Sequence, residues 1–471
     1  MPDITEIISK INSVVNGMVW GLPMMVLIVG TGLYFSIRTD FMQFRKFGYA
    51  MRNTIGKAFI KETVCDKGAI SPIQAVTTAL AATVGTGNIA GVAGALSLGG
   101  PGAVFWMWVS ALVGMITKYS EVLLAVKFRE RNRQGDLVGG PMYYITNGLG
   151  KRWKWLAVIF SVFGATAAFG IGNMAQVNTV ADSVVTLIGE FTASPITANS
   201  ESDVIIRLAV GFIIAFVAAL VLLGGLKRIG AVTEKLVPFM SILYLSAVLI
   251  VIFANSGSII PAIKTIFVCA FKPDAVLGGT VGIGIMEAVK RGVGRGVFSN
   301  EAGLGSAPIA HAASCETDPV KQGLFGIFEV FVDTIVMCSL TAIAILVSGY
   351  KIPYGQSSGA ELTISAFTLT FGGKFAGLIV TVCIALFATS TVLSWSLYGC
   401  RCAEFLLGTK VLKPYKVIFI VFIIIGASMN LSLVWDLSDT LNGLMAIPNL
   451  IALLGLSDVI VKATKEHFKN K

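Results

Sequence analysis

Long apolar runs fill most of the chain, and each has about the length that an α-helix needs to cross a bilayer. Such a helix takes about 20 mainly apolar residues, because the hydrocarbon core is about 30 Å thick. No polar linker divides the 471 residues into separate domains. The sequence therefore predicts an all-α integral membrane protein with a single polytopic domain, residues 1–471. The eleven candidate transmembrane helices lie near 18–37, 70–98, 102–126, 154–178, 205–226, 233–254, 274–297, 323–348, 375–400, 415–432 and 438–461.

Charge supports a membrane location. Charged residues make up only 13% of the chain, whereas soluble domains carry roughly 25%. The formal net charge is +10, but the basic residues lie in loops between apolar runs. We therefore expect membrane lipid, and no nucleic acid, as their partner. The first run follows Asp3, Glu6 and Lys10 rather than a basic head and a cleavage site, which is typical of a retained helix.

Lysine and arginine follow every second run, beginning with the segment that contains Arg38, Lys46 and Lys67. The loops between are acidic or neutral, as with Asp182 and Glu190. Cytoplasmic loops collect basic residues. The pattern predicts a multi-pass protein of the plasma (inner) membrane with its N-terminus outside and its C-terminus in the cytoplasm.

Reactive residues are few and scattered. The seven cysteines are odd in number and show no zinc-binding spacing, so we expect free thiols. The two histidines, His311 and His467, are not near a cluster of nucleophiles or metal ligands. This argues against an enzyme.

Glycines indicate that two of the helices are interrupted. The second run contains Gly85-Thr86-Gly87-Asn88, and a glycine in a helix interior costs roughly 1 kcal/mol relative to alanine. A break at membrane depth must line a cavity or be buried in protein, although the same glycines could form a close helix-packing face. The seventh run is also glycine-rich, and we expect it to break near Gly284.

The two interrupted runs are five spans apart, as in transporters made of two inverted repeats. We predict an accessory helix at about 18–37, a first repeat at about 68–254 and a second at about 274–461. The ten-helix core would then have discontinuous helices at core positions 1 and 6. Stretches 257–271 and 303–313 are candidates for short interfacial or re-entrant helices.

Two long motifs, GTGNIAGVAGALSLGGPGAVFWMW at 85–108 and RGVFSNEAGLGSAPIA at 295–310, resemble signatures of the alanine or glycine:cation symporter family. The stretches FGIGNMAQVN at 169–178 and STVLSWSLYG at 390–399 agree with it. The resemblance covers essentially the whole chain. It implies a leucine-transporter-type fold and sodium-driven uptake of alanine or glycine.

An amino-acid zwitterion needs a partner for each of its charges. The amide end after the first break can hold the carboxylate, and carbonyl ends can hold the ammonium group. In the fourth run, Phe169, Gly172, Asn173 and Gln176 lie at i, i+3, i+4 and i+7, hence on one helical face. Asn173 could instead bond a neighbouring helix, whereas the resemblance implicates Gln176. The predicted substrate-binding residues are Thr86, Gly87, Asn88, Phe169, Gly170, Asn173, Gln176, Ile283, Met286 and Trp395.

For sodium, the resemblance implies a site between carbonyls of the first broken helix and hydroxyls of the ninth run. Ser390 and Thr391 are the predicted ligands, with Thr83 as a weaker partner. Hydroxyls in membrane helices often bond their own backbone instead. Trp395 lies four residues after Thr391 and could cap a small pocket, or could serve packing alone.

Acidic residues inside membrane helices are costly and usually functional. Glu121 is expected to snorkel towards the membrane surface, whereas Glu329 and Asp333 could pair with a base, tune sodium or carry a proton. The sequence thus predicts sodium-coupled symport of a small neutral amino acid, alanine or glycine, by alternating access, with sodium as the co-transported ion. The alternative is a proton-coupled permease of the same fold. The sequence leaves the oligomeric state open.

Overall fold

A computed structural model describes residues 4–58, 65–192, 196–272, 284–428 and 432–469, and these ranges are almost entirely helical. The helices before the fourth predicted span are α1 (Ile4–Val19), α2 (Leu22–Arg38), α3 (Met42–Arg45), α4 (Phe47–Ala58), α5 (Pro72–Thr83), α6 (Ala90–Gly99), α7 (Gly102–Lys127) and α8 (Pro141–Tyr144). Those that follow are α9 (Lys154–Phe169), α10 (Ala175–Thr192), α11 (Glu201–Leu222), α12 (Gly225–Ala254), α13 (Ile259–Phe271), α14 (Ile285–Asn300), α15 (Ala307–His311), α16 (Pro319–Val330), α17 (Ser339–Val347), α18 (Ala360–Phe371), α19 (Gly373–Leu407), α20 (Leu412–Ser428), α21 (Ser432–Gly455) and α22 (Ser457–Lys469). A short antiparallel pair, β1 (Glu130–Arg131) and β2 (Leu137–Val138), is also present.

Within the described residues, nine helical stretches are long and apolar enough to span a bilayer, and the bent pair α5–α6 makes a tenth. The predicted seventh span at 274–297 lies partly outside the described residues, and α14 covers its remainder. The all-α membrane fold that the sequence predicts is therefore confirmed.

The first predicted break is present. Helix α5 ends at Thr83, Gly85 is extended, and a turn of 3₁₀-helix (Thr86–Asn88) leads into α6. The axes of the two halves differ by 55°. Ser71 fixes the start of α5, because its side chain accepts the Gln74 N–H while the Gln74 side chain accepts the Ser71 N–H.

A second break follows α14, whereas the predicted break near Gly284 adjoins residues 273–283, which lie outside the described residues. Gly284 is the residue before α14, which runs without interruption from Ile285 to Asn300. The helix stops after Asn300, and Glu301, Gly303 and Gly305 all have positive φ angles. Helix α15 then continues on the far side of this loop, within the stretch 303–313 that the sequence marked as re-entrant.

Two glycines of α14, Gly292 and Gly296, serve close packing. A Cβ on Gly292 would lie 2.7 Å from Trp106 Cβ, and one on Gly296 would overlap Ser110 Oγ. Both neighbours belong to α7. Small residues let two membrane helices approach closely, so the face of α14 that carries these two glycines packs on α7.

A third irregularity separates α9 from α10. Residues Gly170–Met174 form a π-helical turn, which has more residues per turn than an α-helix. The turn changes which side chains share a face. A longer π-helical segment, Phe331–Cys338, joins α16 to α17.

The loops that carry most of the lysine and arginine lie together at one end of the bundle. Arg401 on α19 pairs with Asp136 at 3.0 Å, and Arg129 donates a hydrogen bond to the carbonyl of Glu316 at 2.8 Å. At the same end Cys65 and Cys315 form a disulfide, with Cα atoms 5.6 Å apart. The expectation of free thiols is therefore wrong for this pair. Separation by 250 residues hides their proximity in the sequence.

Candidate substrate and sodium site

Two cavities meet at the first broken helix. A vestibule of about 380 Å³ lies at the end of the bundle opposite the basic loops, and Asp182, Arg295 and Glu361 line its wall. A smaller cavity of about 20 Å³ lies deeper, between the two breaks. Thr86, Gly87 and Phe298 line both. Phe298 has the largest side chain of these three, and the Arg295 guanidinium lies 5.4 Å from the centre of its ring.

The first break offers unused amides. No described residue accepts a hydrogen bond from the backbone N–H of Thr86 or of Gly87. Both residues line the small cavity. Amides at the start of a helix favour an anion, because the helix end carries a partial positive charge.

The second break offers carbonyls. In an unbroken helix, the carbonyls of Phe298 and Ser299 would accept the N–H groups of Ala302 and Gly303. Here the Ala302 N–H donates to Asn300 Oδ1 at 2.9 Å, and the Gly303 N–H donates to Glu121 Oε1 at 3.0 Å. The two carbonyls are thus released at the edge of the small cavity. Such groups favour a cation.

The side chain of Glu301 lines the same cavity. Its carboxylate accepts hydrogen bonds from Trp395 Nε1 at 3.1 Å and from the Ser306 hydroxyl. The side chain of Asn442 on α21 also lines the cavity, and its Oδ1 has no hydrogen-bond donor among the described residues. Both oxygens add negative character to the side of the cavity that faces the second break.

The π-helical turn brings Ile171 and Gln176 to the cavity wall. Gln176 Nε2 donates to the Ile171 carbonyl at 2.9 Å, and Gln176 Oε1 accepts the Thr86 hydroxyl at 3.0 Å. The buried Trp395 closes the wall beside Gly172, where any Cβ would overlap the indole. Thr86, Gly87, Gln176 and Trp395 are therefore brought together around one small space.

Other predicted substrate residues lie outside this space. Phe169 packs against the rings of Tyr415, Phe419 and Phe422. Gly170 contacts Ser438. Asn173 Nδ2 donates a hydrogen bond to the Phe419 carbonyl at 2.7 Å. The cause is the π-helical turn, since the prediction assumed regular α-helical spacing through residue 176. The face shared by Phe169 and Asn173 contacts α20 instead.

The prediction for the seventh span is also displaced. Met286 lies at the outer end of α14 with 62% of its surface exposed, and Ile283 lies outside the described residues. Phe298, Ser299 and Glu301 hold the corresponding position, because the helix breaks after Asn300. Their motif, RGVFSNEAG, was the available signal, but the prediction followed the glycines towards Gly284 instead.

Four oxygens converge one turn below the first break. The hydroxyls of Ser390 and Thr391 lie 3.2 Å and 3.1 Å from the Ala81 carbonyl oxygen. Both also lie within 3.0 Å of the Phe387 carbonyl oxygen. Hard cations prefer such oxygen ligands. Thr83 lines the small cavity nearby, but its hydroxyl lies 3.4 Å from the Ala79 and Leu80 carbonyls of its own helix.

Asn88 does not line either cavity; its side chain points towards α14 and the segment after α16. Its Nδ2 donates to Asp333 Oδ1 at 2.7 Å, and the Ser299 hydroxyl donates to the same oxygen at 3.1 Å. Thr334 donates to the other carboxylate oxygen at 2.8 Å. The fully buried Asp333 therefore joins both breaks through hydrogen bonds.

Buried charges hold the second break from behind. Glu121 is fully buried and accepts the Gly303 and Gly305 N–H groups at 3.0 Å and 3.1 Å. The expectation that it snorkels is wrong, because the loop's free amides satisfy the carboxylate inside the bundle. One turn earlier on α7, Lys118 pairs with Glu329 at 3.2 Å, and Glu329 also contacts His311 at 3.1 Å. Glu329 thus pairs with a buried base.

Two facing broken helices around a central polar cavity define a membrane transporter of the leucine-transporter type. The crystal structure of MhsT in complex with L-phenylalanine is similar in fold, with a TM-score of 0.58 at 12% identity over 83% of this chain and 90% of that chain. The chain belongs to the sodium:alanine symporter family, whose family model matches residues 5–471.

Two relatives span nearly the same length. The sodium/alanine symporter AgcS of Methanococcus maripaludis is 47% identical over 464 residues, which cover 98% of this chain and 97% of AgcS. The probable sodium/glutamine symporter GlnT of Bacillus subtilis is 36% identical, over 99% of this chain and 92% of GlnT. Both the predicted family and a transport rather than enzymatic role are therefore confirmed.

Proposed function

We propose that this protein couples sodium entry to the uptake of a small neutral amino acid, alanine or glycine, by alternating access. One observation carries the proposal: unpaired amides of the first broken helix face released carbonyls of the second across one small cavity. The name of AgcS as a sodium/alanine symporter supports the same substrate and ion.

In this proposal, the substrate carboxylate binds the N–H groups of Thr86 and Gly87. The ammonium group binds the carbonyls of Phe298 and Ser299, with Glu301 and Asn442 as further acceptors. Both ends of the zwitterion are then satisfied by groups that already have fixed positions. Preorganised partners of this kind reduce the cost of desolvating a charge.

The walls favour a short side chain. Ile171, Phe298 and Trp395 surround the small cavity, and Trp395 is held by its hydrogen bond to Glu301 at 3.1 Å. The cavity of about 20 Å³ must widen even for glycine, and each further side-chain carbon needs a larger displacement of Phe298 or Trp395. Glycine and alanine are therefore the preferred substrates.

Sodium is proposed to bind the oxygens of Ala81, Phe387, Ser390 and Thr391. This set joins α5 to α19, directly below the amides that hold the carboxylate. A cation there attracts the substrate carboxylate through a short, poorly screened path. Ion and substrate thus each stabilise the geometry that the other needs, which is the physical basis of coupling.

We propose that access from the vestibule requires the Phe298 ring to move, because this ring lines both cavities. On the other side, the loop between α14 and α15 is fastened to Glu121. We propose that the vestibule is extracellular, in accord with the basic loops at the opposite end. Substrate would enter past Phe298 and leave when the Glu121-bound loop shifts.

The test is uptake of radiolabelled alanine into proteoliposomes, with the sodium and proton gradients imposed separately. We expect accumulation with an inward sodium gradient at equal pH on both sides, and none with a proton gradient alone. A panel of unlabelled amino acids in counterflow should show glycine and alanine as the strongest competitors. Accumulation driven by the proton gradient without sodium would overturn the sodium coupling.

A proton-coupled permease is the second candidate, and the buried Asp333 carboxylate beside the substrate site is the observation in its favour. Asp333→Asn removes the titrating group and keeps the shape of the side chain. If protons drive transport, this variant loses the response to a pH gradient. If sodium drives it, the variant retains sodium dependence, although its affinity for substrate falls because the contacts of Asn88 and Ser299 weaken.

A further inference from the structure

A separate cleft lies at the basic end of the bundle, between the turn that follows α2 and the last helix, α22. Its volume is about 230 Å³. Four cationic side chains line it, namely Arg45, Lys46, Lys465 and Lys469. Asp40 is the only carboxylate among the described lining residues.

The positive charges of this cleft are not neutralised within the described chain. No described carboxylate lies within 4 Å of any of the four cations, and the Arg45 guanidinium donates only to the backbone carbonyl of Asp40, at 3.4 Å. Lys46 Nζ lies over the Phe468 ring, 5.1 Å from its centre. Four cations and one carboxylate leave the cleft with a net positive charge, and an anion bound among the cations reduces their mutual repulsion.

Exposed aromatic residues place the cleft at the level of the lipid headgroups. Phe41 and Phe44 are 43% and 47% exposed, and their rings stack with centres 6.4 Å apart. They follow directly after Arg38, where the spanning helix α2 ends. Exposed phenylalanines beside basic residues, as on interfacial amphipathic helices, lie at the boundary between headgroups and acyl chains. At this depth Arg45 and Lys46 would lie beside the lipid phosphates.

We propose that this cleft binds a phosphate anion, carried by the headgroup of an anionic phospholipid. Arg45 supplies a planar pair of donors that matches phosphate oxygens, and the lysines supply point charges. The bound phosphate would link α3 to α22. The Arg38–Asp458 ion pair, at 2.6 Å, links α2 to the same helix. Free inorganic phosphate has the same chemistry and is the other possible source.

The test uses the purified full-length protein and its Lys46→Gln/Lys465→Gln variant. The matched control is Lys410→Gln/Lys413→Gln, which removes two exposed lysines at the same end, one in the turn before α20 and one in its first turn. Native mass spectrometry would count retained phosphatidylglycerol and phosphatidylcholine, and calorimetry would measure binding of inorganic phosphate. Alanine uptake in zwitterionic liposomes would verify that each variant folds.

Wild-type protein and the control should retain phosphatidylglycerol in preference to phosphatidylcholine. The Lys46/Lys465 variant should bind it roughly 30-fold more weakly, since each lysine near an anionic headgroup contributes about one factor of five. A second outcome is that inorganic phosphate binds wild type at low millimolar concentration but does not bind this variant, while neither protein prefers either lipid. This outcome would support the phosphate site and exclude the lipid as its source. Equal binding of both probes by wild type and the Lys46/Lys465 variant, with both proteins active, would overturn the proposal.

Discussion

The side-chain oxygen of Asn88 accepts a hydrogen bond from the backbone N–H of Gly85, at 2.9 Å. In a continuous helix, that N–H would bond to the Ala81 carbonyl. Because Asn88 takes it, the Ala81 carbonyl is free to meet the hydroxyls of Ser390 and Thr391. One asparagine therefore both stabilises the break and exposes an oxygen of the proposed sodium site.

Gly85 is the first position at which this account can be tested. A Cβ there would lie 2.7 Å from Thr391 Oγ1, so Gly85→Ala must displace that hydroxyl. We expect the sodium concentration for half-maximal alanine uptake to rise about tenfold or more, as for a lost hydrogen bond to a charged group. Gly294→Ala is the control, because a Cβ there has no neighbour within 4 Å. Equal sodium dependence in both variants would contradict the proposed site.

Removing the two hydroxyls tests the ion site directly. Ser390→Ala/Thr391→Ala deletes two of the four proposed oxygen ligands, so uptake should need at least tenfold more sodium. Thr389→Ala is matched in chemistry and position, but its hydroxyl bonds only to the Ala385 carbonyl of its own helix, at 2.7 Å. This control should keep the wild-type sodium dependence. A double variant with unchanged sodium dependence would place the ion elsewhere.

Phe298 is predicted to control which amino acids enter. Phe298→Ala should widen the connection between the vestibule and the small cavity, since the ring lines both. Bound alanine should dissociate faster, and larger neutral amino acids should compete better in counterflow. Phe267→Ala, on α13 outside both cavities, is a suitable control. Unaltered exchange rates and an unaltered substrate panel would show that the ring is not a barrier.

The buried pair of Lys118 and Glu329 is predicted to stabilise the fold rather than to transport. Lys118→Met leaves the carboxylate with one fewer partner inside the bundle, and breaking such a pair typically costs about 3–5 kcal/mol. Thermal unfolding in detergent should therefore shift to lower temperature. Adding Glu329→Gln should recover part of the loss, because the uncompensated charge is removed. Greater instability of the double variant would refute this role.

The sequence predicted the first break correctly because several signals agree there. Gly85 and Gly87 weaken the helix, and Asn88 supplies a side chain that can bond a released amide. Thr86, Gly87, Gln176 and Trp395 meet at one cavity, and the hydroxyls of Ser390 and Thr391 meet the Ala81 carbonyl. The proposed sodium ligands Ala81 and Thr391 are 310 residues apart. Their proximity was expected from the family resemblance and not from spacing in the sequence.

Two features went unpredicted for separate physical reasons. Gly292 and Gly296 of α14 allow close approach to α7, and the break after this helix uses the left-handed conformation of Glu301 (φ 55°). The predicted break near Gly284 adjoins residues 273–283, outside the described residues. The face expected for Phe169 and Asn173 assumed 3.6 residues per turn, and the π-helical turn at Gly170–Met174 changes that spacing. Neither a packing face nor a π-helical turn has a strong local sequence signal.

A structure determined with alanine and sodium bound would test the central claim most directly. The account predicts the alanine carboxylate at the N–H groups of Thr86 and Gly87, the ammonium group at the carbonyls of Phe298 and Ser299, and sodium between Ala81 and Thr391. Alanine bound only in the vestibule, with the amides of the first break still unoccupied, would contradict it.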